Sequence, residues 1–279
     1  MAQLETLIEK YPTDGKLLYK IITEQNLVLD KPNSLNAEDV WPNNQEIDQS
    51  ILNRLVSLGY DIIDLNASCN GNIIDVSRLT NLKKLNAAGS CGIDQVGIYG
   101  LDLIHLDAGD NRKITNVTSM KNLKFLRVSC SSAIDQAGIE GLDLETLDAR
   151  WNKTITDVSF MKNLKCLYAI DCGIDQAGIQ GLDLVALDAD YNQKIIDVSF
   201  MKNLKVLRAH GNCGIDQAGI KGLDLEVLDC GNNNKITDVS FMKNLKRLNA
   251  GGFSGLDNDG IQGLKLIELL AACNNKITG

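Results

Sequence analysis

LDLETLDARWNKTITDVSFMKN, residues Leu142–Asn163, decides how this chain folds. The same words return as LDLIHLDAGDNRKITNVTSMKN from Leu101, LDLVALDADYNQKIIDVSFMKN from Leu182 and LDLEVLDCGNNNKITDVSFMKN from Leu223. Between these copies lies a second unit, NLKxLxA followed by CGIDQAGIxGLD, clearest over Asn163–Asp183 and Asn203–Asp224. Aligned on LxxLxA, the units begin at Ile62, Leu82, Leu103, Leu123, Leu144, Leu164, Leu184, Leu204, Leu225, Leu245 and Leu266, always 20 or 21 residues apart. A period of that length marks a stacked array, in which each unit buries its apolar face only against its neighbours.

Two unit types alternate. Type one reads LxxLDAxxNxKITDVSFMKN, and its asparagines (Asn70, Asn111, Asn152, Asn192, Asn233, Asn274) hold one position. This pattern resembles the leucine-rich repeat, LxxLxLxxN, in its short forms of 20–22 residues, and the resemblance covers residues 60–279. It implies an α/β solenoid: one parallel strand per unit on a concave face, short helical turns on the convex face, and asparagines bonded to backbone inside the bend. One departure is that the third LxL position is Ala or Cys, Val128 excepted, which predicts a thin core. The wording KITDVSFMKNLK with CGIDQAGI is also similar to tandem repeat proteins of large amoeba-infecting DNA viruses, a resemblance that carries no activity.

Type two replaces the asparagine by Cys or Ser and continues IDQAGIxGL. Asp94, Asp135, Asp175 and Asp216 are placed to cap a short helical turn, and the glycines that follow argue against a long helix. Phe160, Phe200 and Phe241 recur with the fold and are assigned to the scaffold.

Ahead of the array the composition changes, since all three prolines (Pro12, Pro32, Pro42) precede residue 43. Leu4, Leu7 and Ile8, then Leu17, Leu18, Ile21 and Ile22, predict two short helices joined through Pro12. EIDQSILNRLVSLGYD follows, in which Ile47-Asp48-Gln49 echoes the later IDQ and Ile51, Leu52 and Leu55 predict a helix. Residues 1–60 are therefore expected to cap the solenoid of residues 61–279, whose last unit is cut short.

The formal net charge of −8 disfavours nucleic acid and anionic lipid as partners. No apolar run reaches membrane-spanning length, and the amino-terminal segment lacks the apolar centre of a secretory signal. Of eight cysteines, Cys91, Cys172 and Cys213 share one repeat position with Ser132 and Ser254. Exchange with serine points to a small buried polar group rather than half of a bridge, and hence to reduced thiols in a cytoplasmic compartment, host cytoplasm or virion if viral.

Function is expected where the copies differ. Side chains alternate along a strand, so the residue after the central leucine faces outward: Asp107, Arg127, Asp148, Tyr168, Asp188, Arg208 and Asp229 in the middle units. Two acid–base–acid ladders result, Asp107–Arg127–Asp148 and Asp188–Arg208–Asp229, and such pairs can serve merely to fix register. Tyr168 interrupts them, flanked by Trp151 and Tyr191. Arg127, Asp148, Arg150, Trp151, Tyr168, Asp188, Asp190, Tyr191, Arg208 and His210 together have the composition of a protein-binding hot spot. Catalysis finds no support: His105 and His210 fall in units too far apart to share a site, Cys166 lacks a base in reach, and Asp190 with His210 falls short of the usual metal ligand number. No phosphate-cradling glycine loop is present. The expected function is a non-enzymatic protein-binding module without cofactor or metal. The alternative is self-association, most simply as a homodimer, through the edge at Leu266–Gly279, where Leu266, Leu269 and Ile277 lack a covering unit.

Overall fold

The computed structural model describes Leu35–Asn36 as backbone, residues 48–57 and residues 61–278; the two helices expected around Pro12 lie outside that range. The elements are β1 (Leu35–Asn36), α1 (Gln49–Ser57), β2 (Ile62–Asn66), β3 (Lys84–Asn86), β4 (His105–Asp107), β5 (Phe125–Arg127), β6 (Thr146–Asp148), β7 (Cys166–Tyr168), β8 (Ala186–Asp188), β9 (Val206–Arg208), β10 (Val227–Asp229), β11 (Arg247–Asn249) and β12 (Glu268–Leu270). Two compact units are distinguished, residues 1–126 with 132–134, and residues 127–131 with 135–279. In the first, β1 to β4 pair in parallel in chain order. In the second, β6 to β12 do the same, central leucine against central leucine.

Each unit is thus a parallel solenoid of the kind the repeat predicts, with one difference. From β3 to β12 the strands are only three residues long and start two residues after the first leucine of LxxLxA, as Thr146–Asp148 does after Leu144. Pairing nevertheless continues beyond them, since the Ala149 N–H donates to Tyr168 O at 2.9 Å and the Trp151 N–H to Ile170 O at 2.8 Å. The chain then leaves the sheet. Four residues after each central leucine φ lies between 39° and 68°, at Cys69, Asp110, Cys130, Trp151, Asp171, Tyr191, Asn232 and Cys273 as well as at Gly89, Gly211 and Gly252. A left-handed residue here turns the backbone sharply toward the opposite side of the coil.

The core is built from the repeating leucines, isoleucines and valines. In one turn Leu144, Leu147, Ala149, Ile155 and Val158 are all fully buried. Small residues at the third position let successive turns stack, and at Gly178 the backbones approach closely: an added Cβ would lie 2.1 Å from Thr156 O.

Polar side chains tie the turns together in two ladders. Buried Asn192 donates through Nδ2 to Ala169 O at 3.0 Å and Ile174 O at 3.1 Å, while its Oδ1 accepts from the Lys194 N–H at 2.9 Å. Asn111, Asn152, Asn233 and Asn274 repeat the pattern, as the leucine-rich repeat resemblance implies. The second ladder, on the far side of the coil, belongs to the glutamines of IDQ. Gln176 Oε1 accepts the N–H groups of Ile196 and Asp197, both at 2.9 Å, and its Nε2 donates to Asp197 O at 2.9 Å. Gln95, Gln136 and Gln217 do likewise. So does Gln49 at the start of α1, whose Oε1 takes the Ile74 and Asp75 N–H groups. The echo is therefore structural at Asp48-Gln49: α1 stands where a type-two turn would, with Leu52 and Leu55 buried beneath it.

The aspartates before each AGI cap their turns as expected. Asp175 Oδ1 accepts the Gly178 N–H at 3.0 Å, ahead of a single 3-10 turn at Ala177–Ile179. The cysteine–serine exchange also has a direct cause. Cys91 Sγ, Ser132 Oγ and Ser254 Oγ each accept the N–H two residues on, all at 3.4 Å.

Candidate functional site

The ten residues singled out from the sequence all belong to the second compact unit, on β5 to β9 and the turns that follow the strands. What places them is the three-residue strand with its left-handed exit. The residue after each central leucine and the one two further on share the outer face of the sheet, and the next residue marks its rim.

Around Asp148 this brings together three of them. Arg150 clasps the carboxylate with two bonds, Nε to Oδ1 at 2.9 Å and Nη2 to Oδ2 at 2.6 Å. Arg127 approaches from the other side, Nε to Oδ2 at 3.4 Å. The Arg150 guanidinium also lies 5.8 Å from the Trp151 ring and 5.7 Å from the Tyr168 ring, within cation–π range. Trp151, Tyr168 and Tyr191 remain 46%, 39% and 51% exposed. Trp151 and Tyr191 hold φ of 59° and 56°, where a bulky side chain is disfavoured.

A second cluster centres on Asp188, Asp190 and His210. The sequence places the acids on an open face, but Asp148, Asp188 and Asp190 are buried. The cause is local: each outward Asp or Asn folds back on its own strand exit and accepts the N–H two residues on. Asp148 does so from Arg150 and Asp188 from Asp190, both at 3.2 Å, and Asp229 from Gly231 at 3.1 Å. Burial first, and then the neighbouring Asp190 charge, pushes the Asp188 carboxyl up to about 6, although Arg208 and Arg150 oppose this. Burial raises Asp190 too, with its bond from the His210 N–H opposing.

Two further expectations are corrected. The second ladder does not close as acid–base–acid: Arg208 stands in register between Asp188 and Asp229, but the side chain that meets Asp229 is His210, Nδ1 to Oδ1 at 3.4 Å. Asp190 and His210 are neighbours, yet the contact is through the His210 backbone, whose N–H donates to Asp190 Oδ1 at 2.7 Å. The imidazole turns instead toward Asp229, Asn232 Nδ2 at 3.4 Å and the Tyr191 ring, edge-on at 5.6 Å between centroids. Two glycines make the room. A Cβ on Gly231 would lie 2.9 Å from His210 Nδ1, and one on Gly211 2.5 Å from Tyr191 Cε1. Asp229, Asn232, Gly211 and Gly231 thus join the cluster. Their signal was glycine in adjacent units at positions where others carry side chains.

Among the described residues no group of three or more His, Cys, Asp or Glu is arranged to hold a metal ion, and no helix is long and apolar enough to cross a membrane.

No protein-family model matches the sequence, and no curated protein matches it either. Solved structures do match in shape. An internalin (InlF) from Listeria monocytogenes is 24% identical with a TM-score of 0.58, over 83% of this chain and 72% of the internalin. TLR13, solved as a complex with ssRNA13, is 22% identical with a TM-score of 0.59, over 82% of this chain and 38% of TLR13. The functional domain of internalin J from Listeria monocytogenes, described as including a cysteine ladder, is 21% identical with a TM-score of 0.54, over 88% of this chain and 54% of that one. Parallel strands in 20- or 21-residue register, the buried asparagine ladder and these neighbours agree: this chain has the leucine-rich repeat fold.

Proposed function

We propose that this protein is a non-enzymatic binding module that holds a protein partner on the outer face of its sheet, across β5 to β9. The observation that carries this reading is the exposed aromatic trio Trp151, Tyr168 and Tyr191 set among arginines. Trp, Tyr and Arg dominate binding hot spots because they offer large contact area at small entropic cost. Scaffold residues are the same in every copy; these are not, and two of them sit at backbone positions that disfavour them. TLR13 is complexed with ssRNA, so the fold does not by itself exclude nucleic acid; the net charge of −8 and the buried acids of the face argue for protein. The reduced thiols favour a cytoplasmic setting.

The test places a photo-crosslinking amino acid at Tyr168 or, as control, at Tyr99, which is 80% exposed and off this face. In lysate of the source organism, adducts that form at 168, not at 99, and resist nuclease support the reading. Adducts only at 99 move the site, and nuclease-sensitive adducts make the ligand a nucleic acid.

A further inference from the structure

The face is not uniform in its chemistry. Toward β6 its arginines are engaged, since Arg150 and Arg127 both meet Asp148. Toward β8 to β10 the balance reverses. Asp188, Asp190 and Asp229 face Arg208 and His210, and His210 leans on Asp229. Asp188 and Asp190 are only 5% and 9% exposed. Each uses one carboxylate oxygen: Asp188 Oδ1 accepts from the Asp190 N–H and Asp190 Oδ1 from the His210 N–H. Among the described residues the second oxygen of each accepts no hydrogen bond. A buried carboxylate oxygen without a donor is costly and calls for an explanation. Beside the two acids stand Tyr168, in register with Asp188, and Tyr191, both half-exposed rings.

We infer that this acid pair, walled by Tyr168 and Tyr191, is the seat of a basic side chain, a guanidinium or ammonium presented by a peptide segment of the partner. This rests on the protein-binding reading above and names its chemistry. The cation supplies the donors that the free oxygens lack, forming charge-assisted bonds, and its stem or plane lies against the tyrosine rings. Arg208 does not satisfy the pair itself: it is exposed, and its influence on Asp188 is electrostatic. An acidic segment is excluded from this end of the face by three carboxylates and is directed, if anywhere, to the arginines near Asp148.

A further consequence distinguishes a specific seat from general attraction to an acidic protein. The Asp188 carboxyl, pushed up to about 6, must lose its proton to receive a cation, and the bound cation holds it ionised. Binding at pH 6 therefore releases protons to the buffer. The groups facing Asp188 are Asp190, Arg208 and Arg150, and Asp190 in turn faces Asp229, His210 and Arg208.

The experiment titrates the intact chain with hexa-arginine, hexa-lysine, hexa-glutamate and an oligouridine of equal length, by fluorescence anisotropy and by calorimetry in buffers of different ionisation heat. The variant Asp188→Asn, alone and with Asp190→Asn, is compared with Glu140→Gln/Glu226→Gln, which removes two charges elsewhere. Asn66, Asn86 and Asn249 make the Asp188 turn bond in their own units, so D188N retains the fold. The expected result is binding of a basic peptide, weakened roughly ten-fold or more by the site variants and less than about two-fold by the control, with proton release near pH 6 that D188N abolishes. Equal weakening by both variants, binding without proton release, or preference for hexa-glutamate or oligouridine overturns the inference. If Tyr168 crosslinks to a partner whose binding D188N/D190N leaves unchanged, the protein-binding reading stands and this one falls.

Discussion

The ring of Tyr191 lies across the Cα of Gly211, so that a methyl group there would come within 2.5 Å of Cε1. Gly211 also holds φ at 68°. Gly211→Ala should therefore cost about 1–2 kcal/mol from the left-handed backbone alone, and more from displacing the ring. In Tyr191→Ala/Gly211→Ala the second contribution should vanish, and urea denaturation of the four members of the cycle measures it. Additive losses would mean that the ring does not rest there.

Trp151→Ala with Tyr168→Ala should change stability by less than about 1 kcal/mol, because both rings stand half-exposed on the outer face and contribute mainly cation–π contacts with Arg150. Leu147→Ala, at a fully buried position, should cost about 2–5 kcal/mol. A double-ring variant as unstable as the leucine variant would place those rings in the core.

Thiol reactivity should divide the cysteines by burial. Cys69 and Cys273 are exposed and should react first with a thiol reagent under native conditions. Burial pushes Cys172 and Cys213 up to about 11 and Cys230 to about 12, which leaves almost no thiolate at neutral pH. These should stay protected until the chain unfolds. Cys91→Ser and Cys213→Ser should be tolerated, since Ser132 and Ser254 occupy the same position. Rapid labelling of Cys213 in the folded protein would contradict the burial.

Asp188 gives stability a pH dependence of definite sign. Its folded carboxyl sits near 6 against an ordinary 3.8, so the folded state binds the extra proton between those values. Its contribution is most favourable below about pH 4, declines as pH rises toward 6, and is a penalty above that. Asp188→Asn should then be more stable than wild type at pH 7.5, by roughly 1 kcal/mol after allowance for solvent screening, and should lose this advantage at pH 4. Thermal melts at the two pH values decide it. An advantage that grows on acidification would reverse the assignment.

Gln176→Ala removes three bonds to the next turn, two from N–H groups and one to a carbonyl. The loss should be about 1–3 kcal/mol, lessened because water reaches the exposed groups. Gln176→Glu keeps the acceptor but sets a carboxylate against Asp197 O, and should be no better than alanine. Hydrogen exchange at Ile196 and Asp197 should quicken in both variants. Unchanged exchange would mean that the glutamine is dispensable.

Much of the scaffold was legible because its signals repeat. The resemblance to the leucine-rich repeat implies the asparagine ladder, and the Cys–Ser alternation at 91, 132, 172, 213 and 254 announces a small hydrogen-bonding group. The glutamine of IDQ repeats as faithfully, but its role depends on where the next turn places two N–H groups, and periodicity does not carry that information. For the candidate face, alternation tells which residues share it and not how they meet. Alternation along a strand puts Asp148 and Asp188 on the outer face, yet the three-residue strand lets each bend back to an N–H and become buried. Likewise, adjacency of Asp190 and His210 says nothing of which atoms meet; Gly231 leaves room for the imidazole beside Asp229, and Gly211 leaves room for the Tyr191 ring against it.

The two ladders also divide the joints of the solenoid unequally. Gln176 reaches forward from a type-two turn into the type-one turn that follows, and Asn192 reaches back across the same joint to Ala169 and Ile174. The joint from type one to type two relies instead on surface pairs, as Asp143 with Asn163, and on close backbone approach, as at Gly173. The indivisible building block is therefore the pair, spaced from Leu142 to Leu182 to Leu223. Gene duplication or deliberate lengthening of this array should succeed in whole pairs cut at the weaker joint. A single added turn would set glutamine against glutamine, with no matching edge to receive it.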